Sequence, residues 1–330
     1  MDDERVVCMG PIAVLRFRSR WRIALPLMLL AVAMPAPALA QTECDDWQTL
    51  HPDWIFCDDF DEGTSLVRDG RYFEHDDDGG EFVVVDGVGL GGSHGMRTLW
   101  QAGEVGAGSL KLGFGRNPSG YMNRDIRPNE DFREVYYRMY LKMQEGWVGN
   151  PIKLSRATVI AASDWSQAMI AHVWEGSGEA LGIDPVGCVG SDDGVVCVGY
   201  NDFAHMDWLG YQSGSTPIFS TGYDGRWYCV EARVRLNDPG LANGIQEFWI
   251  DGALEARAEQ LDFVRSYTDY ALNAIFFENY DNDGSAQEQE RYFDNVVVAT
   301  TRIGCLPPTG WIFSDGFESS DTKAWSTSVQ

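Results

Sequence analysis

The sequence is poor in positive charge and in long apolar runs. It holds 25 Lys and Arg against 50 Asp and Glu, a formal net charge of −25, and such a chain repels nucleic acids and anionic membranes. Beyond residue 40, no segment approaches the roughly eighteen consecutive apolar residues of a membrane-spanning helix. No Cys-x-x-Cys pair or histidine cluster suggests zinc. We therefore expect no nucleic-acid partner and no membrane association of the mature chain.

Helical periodicity is also missing, since no stretch of twelve residues has a convincing 3.6-residue apolar repeat. About ten short segments are typical of strands instead, and Gly, Asn and Asp separate them as turn formers do. Short strands without intervening helices predict one antiparallel β-sandwich, which we place at residues 41–305. Residues 306–330 echo an earlier motif, WIFSDGFESSDTKAW against WIFCDDFDEG, and we expect this C-terminal tail to have no catalytic role.

The first forty residues are typical of a secretory signal peptide. Four arginines between residues 16 and 22 precede an apolar run at 23–32, and Ala38-Leu39-Ala40 matches an A-x-A cleavage site. Residues 1–40 contain five Arg and three acids, so 20 Lys and Arg remain against 47 acids, a net charge of −27. We expect an exported monomer, extracellular or periplasmic.

Six cysteines remain after this cleavage, and an even number in an exported protein favours three disulfides. Sequence alone cannot choose among the fifteen possible pairings. Short local loops favour Cys44 with Cys57 and Cys188 with Cys197, which leaves Cys229 for Cys305.

The segment VYYRMYLKM, residues 135–143, alternates apolar residues with aromatic or cationic ones. A period of two over nine residues predicts a strand with one buried face. The segment lies in a basic region: residues 111–156 carry nine Lys or Arg against five acids. A positive region on an acidic protein indicates an anionic ligand.

Several motifs resemble one fold family. GRWYCVEARVRLNDPGLANGIQEFWIDG (225–252), with DDF (58–60), YRMYLKMQEGW (137–147) and RYFDNVVVATTRIG (291–304), resembles the concanavalin A-like lectin/glucanase domains, in particular polysaccharide lyases of the glucuronan-lyase and alginate-lyase type. The resemblance implies an all-β antiparallel sandwich, a jelly roll with a concave sugar-binding sheet. The same fold also serves hydrolases and lectins.

In such a jelly roll, one face of the strand at residues 135–143 is expected to form the cleft floor. Tyr136, Arg138, Tyr140 and Lys142 share that face, and Tyr and Arg can both stack on sugar rings and bind hydroxyls or carboxylates. The alternative is a solvated strand whose long side chains merely shield the sheet.

The segment QAMIAHVW, residues 167–174, places His172 beside an aromatic residue, Trp174. The resemblance implies a strand carrying Gln and His in the cleft, but Gln167 and His172 have opposite parity here, so a bulge is needed for both to face the substrate. We favour His172 as the catalytic residue; the alternative is a structural histidine.

The segment AIFFENYDND, residues 274–283, resembles a late strand of these lyases that leads to a proton-handling tyrosine. By position this is Tyr280, with Asn279 beside it. Elimination at a uronic acid needs a group that neutralises the carboxylate, a base and an acid. Arg138, or Arg116 with Asn117, could supply the first function, and His172 or Tyr280 the others.

Calcium is the one cofactor that the sequence suggests. Residues 279–290 match a calcium-loop spacing through Asp281 and Asp283, although Asn stands at the first place; an ordinary Asp- and Gly-rich turn is the alternative. The resemblance implies a second site shared by the first and last strands, with Asp59 and Asp294.

The leading hypothesis is a secreted lyase acting on an anionic, uronate-containing polysaccharide. A non-catalytic carbohydrate-binding protein is the second hypothesis. A glycoside hydrolase is third, because the E-x-D-x-x-E string of the hydrolase branch is absent.

Overall fold

The computed structural model describes residues 42–67, 69–118, 120, 122, 126–149 and 153–307. The predicted signal peptide and all but the first two residues of the predicted tail lie outside this part of the chain. Among the described residues, no helix is long and apolar enough to cross a bilayer. The described part of the chain contains one short helix, two 3₁₀ turns and sixteen strands: α1 (Trp47–Leu50), β1 (Trp54–Asp58), β2 (Glu74–Asp76), η1 (Asp78–Gly80), β3 (Phe82–Val85), η2 (Leu90–Gly92), β4 (Gly95–Trp100), β5 (Gly106–Gly113), β6 (Glu134–Met143), β7 (Lys153–Ile160), β8 (Gln167–Glu175), β9 (Leu181–Gly187), β10 (Asp207–Trp208), β11 (Gln212–Ser213), β12 (Trp227–Arg235), β13 (Gly244–Ile250), β14 (Ala253–Leu261), β15 (Ala274–Tyr280) and β16 (Gln289–Ala299).

The strands form two antiparallel sheets packed face to face, as predicted. Sheet A has the order β14-β13-β12-β6-β16-β4-β3, with β1 also pairing β16, and sheet B has the order β10-β9-β8-β7-β15-β5-β2, with β11 pairing β9. The DG pair of the WIDG motif forms the tight turn between β13 and β14, because Asp251 and Gly252 both have positive φ and Ile250 pairs with Ala253. The chain is therefore an all-β jelly-roll sandwich.

One apolar core fills the space between the sheets. It includes Tyr137 and Met139 of β6, Ala171 of β8 and Phe277 of β15, all at most 2% exposed. The three predicted disulfides are all present: Cys44–Cys57, Cys188–Cys197 and Cys229–Cys305. The first and third tie the two ends of the described chain onto sheet A.

The predicted alternation of β6 is confirmed, but the expected place of its outer face is wrong. Strand β6 lies in sheet A, whereas His172 and Tyr280 lie on β8 and β15 of sheet B. The outer side of β6 is covered by the chain ends: Arg138 is 1% exposed and pairs with Glu43, and Leu306 N donates to Tyr140 Oη at 2.6 Å.

The other two side chains of this face are held by aromatic neighbours. Tyr136 stacks near Trp249, and the Lys142 ammonium lies 4.8 Å from the Trp227 ring centroid and 4.5 Å from that of Tyr292. The alternating tyrosines and cations of β6 therefore pack against Glu43, residues 304–306 and neighbouring aromatic rings on sheet A. They do not form a cleft floor together with His172.

We expect Arg138→Met to lower the free energy of unfolding by about 3 kcal/mol or more, because it leaves the Glu43 carboxylate without its buried partner. Urea unfolding measures this change. The double variant Arg138→Met/Glu43→Gln should recover part of the loss, and both proteins should keep the turnover of the wild type at a temperature where they are folded. A stable Arg138→Met protein that has lost turnover would contradict this placement.

Candidate functional site

The outward surface of sheet B, called here the B face, collects the polar and aromatic side chains that the core excludes. Two irregularities decide which residues share it. The pairing of β7 with β8 shifts between Lys153 and Ser155, and again between Val159 and Ile160. The first shift leaves Lys153 and Arg156 on the same face although they are three residues apart. The second supplies the bulge that Gln167 and His172 need to share a face.

The centre of the B face is a buried ion pair. The Arg156 guanidinium donates to both carboxylate oxygens of Glu278, at 2.8 and 2.5 Å, and to Asn201 Oδ1 and Tyr200 Oη. Burial by itself would raise the pKa of Glu278, but the charge and hydrogen bonds of Arg156 and the charge of Lys153 lower it to about 2. Glu278 is therefore an ionised structural partner, and Arg156 has its donors engaged.

Lys153 and Tyr280 lie next to this pair, at the more open end of the face. Their backbones are paired, and the Lys153 ammonium lies 4.7 Å from the Tyr280 ring centroid. Tyr280 is 37% exposed. Burial lowers the pKa of Lys153, and the Glu278 carboxylate opposes that shift. A half-buried ammonium beside an accessible phenol can bind a carboxylate and move a proton next to it.

Arg291 of β16 supports both residues from inside the sandwich. Its Nη2 donates to Glu278 O at 2.9 Å, to Asn279 Oδ1 at 2.6 Å and to Lys153 O at 3.4 Å. Asn279, one of the predicted site residues, therefore turns inward, and the next residue, Tyr280, turns outward. Asn279 positions the strand and does not reach the B face.

His172 is on the B face, but it is covered. It is 2% exposed, its ring is stacked 4.3 Å from Trp174, and its Nδ1 lies 3.2 Å from Asp184 O. Burial and the nearby charge of Arg156 lower its pKa to about 3, so the ring is neutral at pH 7 and only weakly basic. This placement favours the structural alternative.

His172→Gln is therefore expected to keep turnover within about threefold of wild type, whereas loss of a general base costs about 100-fold or more. The pKa of His172 in the folded protein lies below its unfolded value of 6.5. The stability that the buried neutral ring contributes to the protein is therefore lost as pH falls from about 6.5 to about 3. The variant should lose less stability than wild type between pH 7 and pH 4, as measured by urea unfolding. If a folded His172→Gln protein has no turnover, His172 is the general base and this expectation is contradicted.

The remaining predicted substrate residues are divided between the B face and distant positions. Trp174 is half-buried on the B face, and Gln167 is buried there, where its Oε1 accepts from Thr158 Oγ1 at 2.9 Å. Tyr280 pairs with Gly106 at the start of β5, whereas Arg116 follows the end of that strand. At 3.3 Å per residue, Arg116 is roughly 30 Å from Gly106 along the chain. Its Nε donates to Asp131 Oδ1 at 3.1 Å and its Nη2 to Asp131 Oδ2 at 2.9 Å, and Asn117 donates to Gly115 O. The structure does not bring Arg116 and Asn117 to the Lys153–Tyr280 pair.

The structure does not bring together the ligands of the predicted calcium loop at residues 279–290. Asn279 points inward to Arg291, and Glu290 accepts a hydrogen bond from Tyr292. Asp281 accepts from the backbone of Asp283 at 3.0 Å, as in an ordinary turn.

The second expected calcium pair, Asp59 and Asp294, is buried. Asp59 Oδ2 has no hydrogen-bond partner among the residues that the structure describes. Burial, with the charge of Asp59 adding, raises the pKa of Asp294 to about 7 despite hydrogen bonds from Leu90, Asn295 and Ser93. An unpartnered buried carboxylate oxygen beside a second carboxylate is a donor set that suits a hard cation.

Sequence reasoning missed several residues of the B face: Lys111, Lys153, Arg156, Asp184, Tyr200, Trp208, Tyr211 and Glu278. Lys111, Lys153 and Arg156 all belong to the basic region of the sequence. The bulge in β7 places Lys153 and Arg156 on the same face, which simple alternation does not predict. Trp208 lies on the two-residue strand β10 and Tyr211 directly precedes the two-residue strand β11, and segments this short have no periodic signal.

No protein-family model and no curated protein matches the sequence. Among solved structures, the chain is similar to the alginate lyase vAL-1 from Chlorella virus (14% identity, TM-score 0.46, covering 72% of this chain and 99% of that chain). It is also similar to the marine PL-14 alginate lyase from Aplysia kurodai (13%, 0.46, 69% and 90%) and to the endo-β-1,4-glucuronan lyase from the fungus Trichoderma reesei (14%, 0.41, 75% and 91%). Similarity at this level does not identify a reaction, so the function must be argued from the side chains of the B face.

Proposed function

We propose that the protein is a polysaccharide lyase that cleaves a uronate-containing polymer by β-elimination on the B face. The observation that carries the proposal is the Lys153–Tyr280 pair: an ammonium and an accessible phenol, 4.7 Å from ammonium to ring centroid, on a face that also carries exposed aromatic rings. A cation beside a proton-transfer group is what uronate elimination requires.

The roles follow from the chemistry of the reaction. Lys153 binds the substrate carboxylate and thereby acidifies the adjacent C5–H bond. Tyr280, as phenolate, takes the C5 proton; the C4–O bond breaks, a C4=C5 double bond forms, and the phenol returns a proton to the leaving oxygen. The Arg156–Glu278 pair holds β7 and β15 together beneath these groups.

A carbohydrate-binding protein without turnover is the second candidate, and the exposed aromatic rings of Trp208 and Tyr211 favour it. A hydrolase has less support in the described part of the chain, because the central carboxylate, Glu278, is committed to Arg156.

Purified protein without residues 1–40 should be incubated with alginate, polyglucuronate, pectate and glycosaminoglycans, with and without calcium. A rise in ultraviolet absorbance from the unsaturated product supports the lyase. A flat trace with slower migration in a gel containing one of these polymers supports the binding protein.

We also propose that Asp59 and Asp294 hold a structural calcium ion, which would neutralise two buried carboxylates and have no part in the elimination. Because the folded pKa of Asp294 is raised to about 7, its contribution to stability falls as pH rises from about 4 to about 7 in the absence of a cation. Calcium should therefore raise the melting temperature at pH 8 and have little effect at pH 5.

The matched variant is Asp294→Asn, in which the calcium effect at pH 8 should disappear. Equal melting temperatures of the wild type in calcium and in chelator at pH 8 would contradict this site, and so would an undiminished calcium effect in the variant.

A further inference from the structure

The B face is divided by charge. Residues 161–225, which include β8 to β11, contain nine Asp or Glu and no Lys or Arg. The other half of sheet B carries Lys111, Lys153 and Arg156 on β5 and β7, where Lys111 pairs with Glu74 and Arg156 pairs with Glu278. We call the part formed by β8 to β11 the acidic flank.

The acidic flank carries an aromatic wall. The ring centroids of Trp174 and Trp208 lie 5.8 Å apart with their planes at 21°, and Trp208 is 42% exposed. Such rings can pack against the apolar C–H face of a pyranose ring, whose hydroxyl groups then remain free to form hydrogen bonds at their edge.

Beside this wall is an open depression of about 410 Å³, lined by Trp174, Glu175, Gly176, Ser177, Asp184 and Tyr211. A depression of this size accepts a single sugar unit of a longer chain. Its two acidic side chains, Glu175 and Asp184, are carboxylates, which accept hydrogen bonds from sugar hydroxyls and repel a second carboxylate.

The depression lies one sugar unit from the proposed reaction centre. Lys153 pairs with Trp174 across β7 and β8, and Trp174 pairs with Gly182 of β9. Neighbouring strands are about 4.8 Å apart, so a polymer crossing the strands places one ring at Lys153 and the next over Trp174. The first position favours a negative charge and the second disfavours one.

We propose that the acidic flank is a subsite for an uncharged sugar, so that the substrate is a polymer in which the uronate is followed by a neutral unit and not a homopolymer of uronates. This inference rests on the proposed function, since Lys153 must fix the uronate. It assigns substrate choice to Glu175, Asp184 and Trp208, none of which takes part in the elimination.

The test compares two kinds of polymer. Hyaluronan and deacylated gellan contain uncharged sugars next to the uronate, whereas alginate and polyglucuronate contain uronates only. We expect kcat/KM of the wild type, from the rise in ultraviolet absorbance, to be at least about tenfold higher on one of the mixed polymers, because like charges brought together at a binding site are strongly disfavoured. The double variant Glu175→Gln/Asp184→Asn should narrow this ratio by raising cleavage of the homopolymers.

The matched control is Asp192→Asn/Asp193→Asn, which changes the net charge equally in an exposed turn of the same acidic segment and should leave the ratio unchanged. A wild type that cleaves alginate or polyglucuronate at least as well as both mixed polymers would overturn the inference and leave the proposed function standing.

Binding provides a second readout that does not need turnover. Oligosaccharides of equal length from hyaluronan and alginate are titrated against the Tyr280→Phe variant, with tryptophan fluorescence as the signal. Tighter binding of the hyaluronan oligomer, lost in Tyr280→Phe/Trp208→Ala, supports the inference. Equal or tighter binding of the alginate oligomer overturns it, and failure of both oligomers to bind, with no cleavage by the wild type, overturns the proposed function as well.

Discussion

Tyr280→Phe is expected to lower kcat on the uronate polymer by at least about 100-fold, because a positioned acid or base contributes about 10²–10⁴ to the rate. KM should change little, since the phenyl ring keeps its contact with Lys153 and only the hydroxyl is lost. The fold should be unaffected, because Tyr280 is 37% exposed and its hydroxyl is not part of the buried network around Glu278. Steady-state absorbance kinetics separate kcat from KM.

The matched control for this variant is Tyr140→Phe. It removes a phenol hydroxyl from the outer face of sheet A, where Tyr140 accepts a hydrogen bond from Leu306, and it should cost some stability and no turnover. Should Tyr280→Phe retain wild-type kcat, the phenol has no part in proton transfer. A loss in Tyr140→Phe at a temperature where it is folded would place the active surface on sheet A.

Lys153→Met is expected to lower kcat/KM by about 100-fold or more, since it removes the charge that binds the substrate carboxylate and stabilises the negative charge developing beside it. We expect KM to rise and kcat to fall, because the carboxylate is present in the ground state and gains charge in the transition state. The matched control is Lys142→Met, which removes another ring-packed lysine, near Trp227 and Tyr292, from the outer face of sheet A.

The pH profile gives a sharper test of Lys153. The group must be charged to bind the carboxylate, so activity should fall as pH rises through its pKa. Burial lowers that pKa, which places the alkaline fall of kcat/KM below the usual range for a lysine. Lys153→Arg should retain part of the activity and move the fall to higher pH, because arginine stays protonated. An unchanged alkaline fall in Lys153→Arg would show that another group titrates there.

The sequence predicted the fold more fully than the site, and the reasons are local. The alternation in β6, the turn residues and the six cysteines are signals that a regular strand or a short loop preserves, so the sandwich and its three disulfides were predictable. The sequence did not predict that Lys153 shares a face with Arg156, or Gln167 with His172. One extra residue in β7 or β8 reverses the alternation of faces on which a strand prediction depends.

The aromatic and cationic pattern of β6 led to the wrong sheet for a different reason. Periodicity shows that Arg138 and Tyr140 point away from the core, but it does not show what covers them. Here the covering groups are Glu43 and the backbone of residues 304–306, which are distant in sequence and are held on sheet A by the disulfides Cys44–Cys57 and Cys229–Cys305.

The mass of the oligosaccharides released in water enriched with heavy oxygen distinguishes elimination from hydrolysis. Elimination breaks the C4–O bond without adding water, so the account predicts an unsaturated product end and no solvent oxygen at the cleaved bond. Heavy oxygen incorporated into a saturated product at that bond would show hydrolysis and contradict the account.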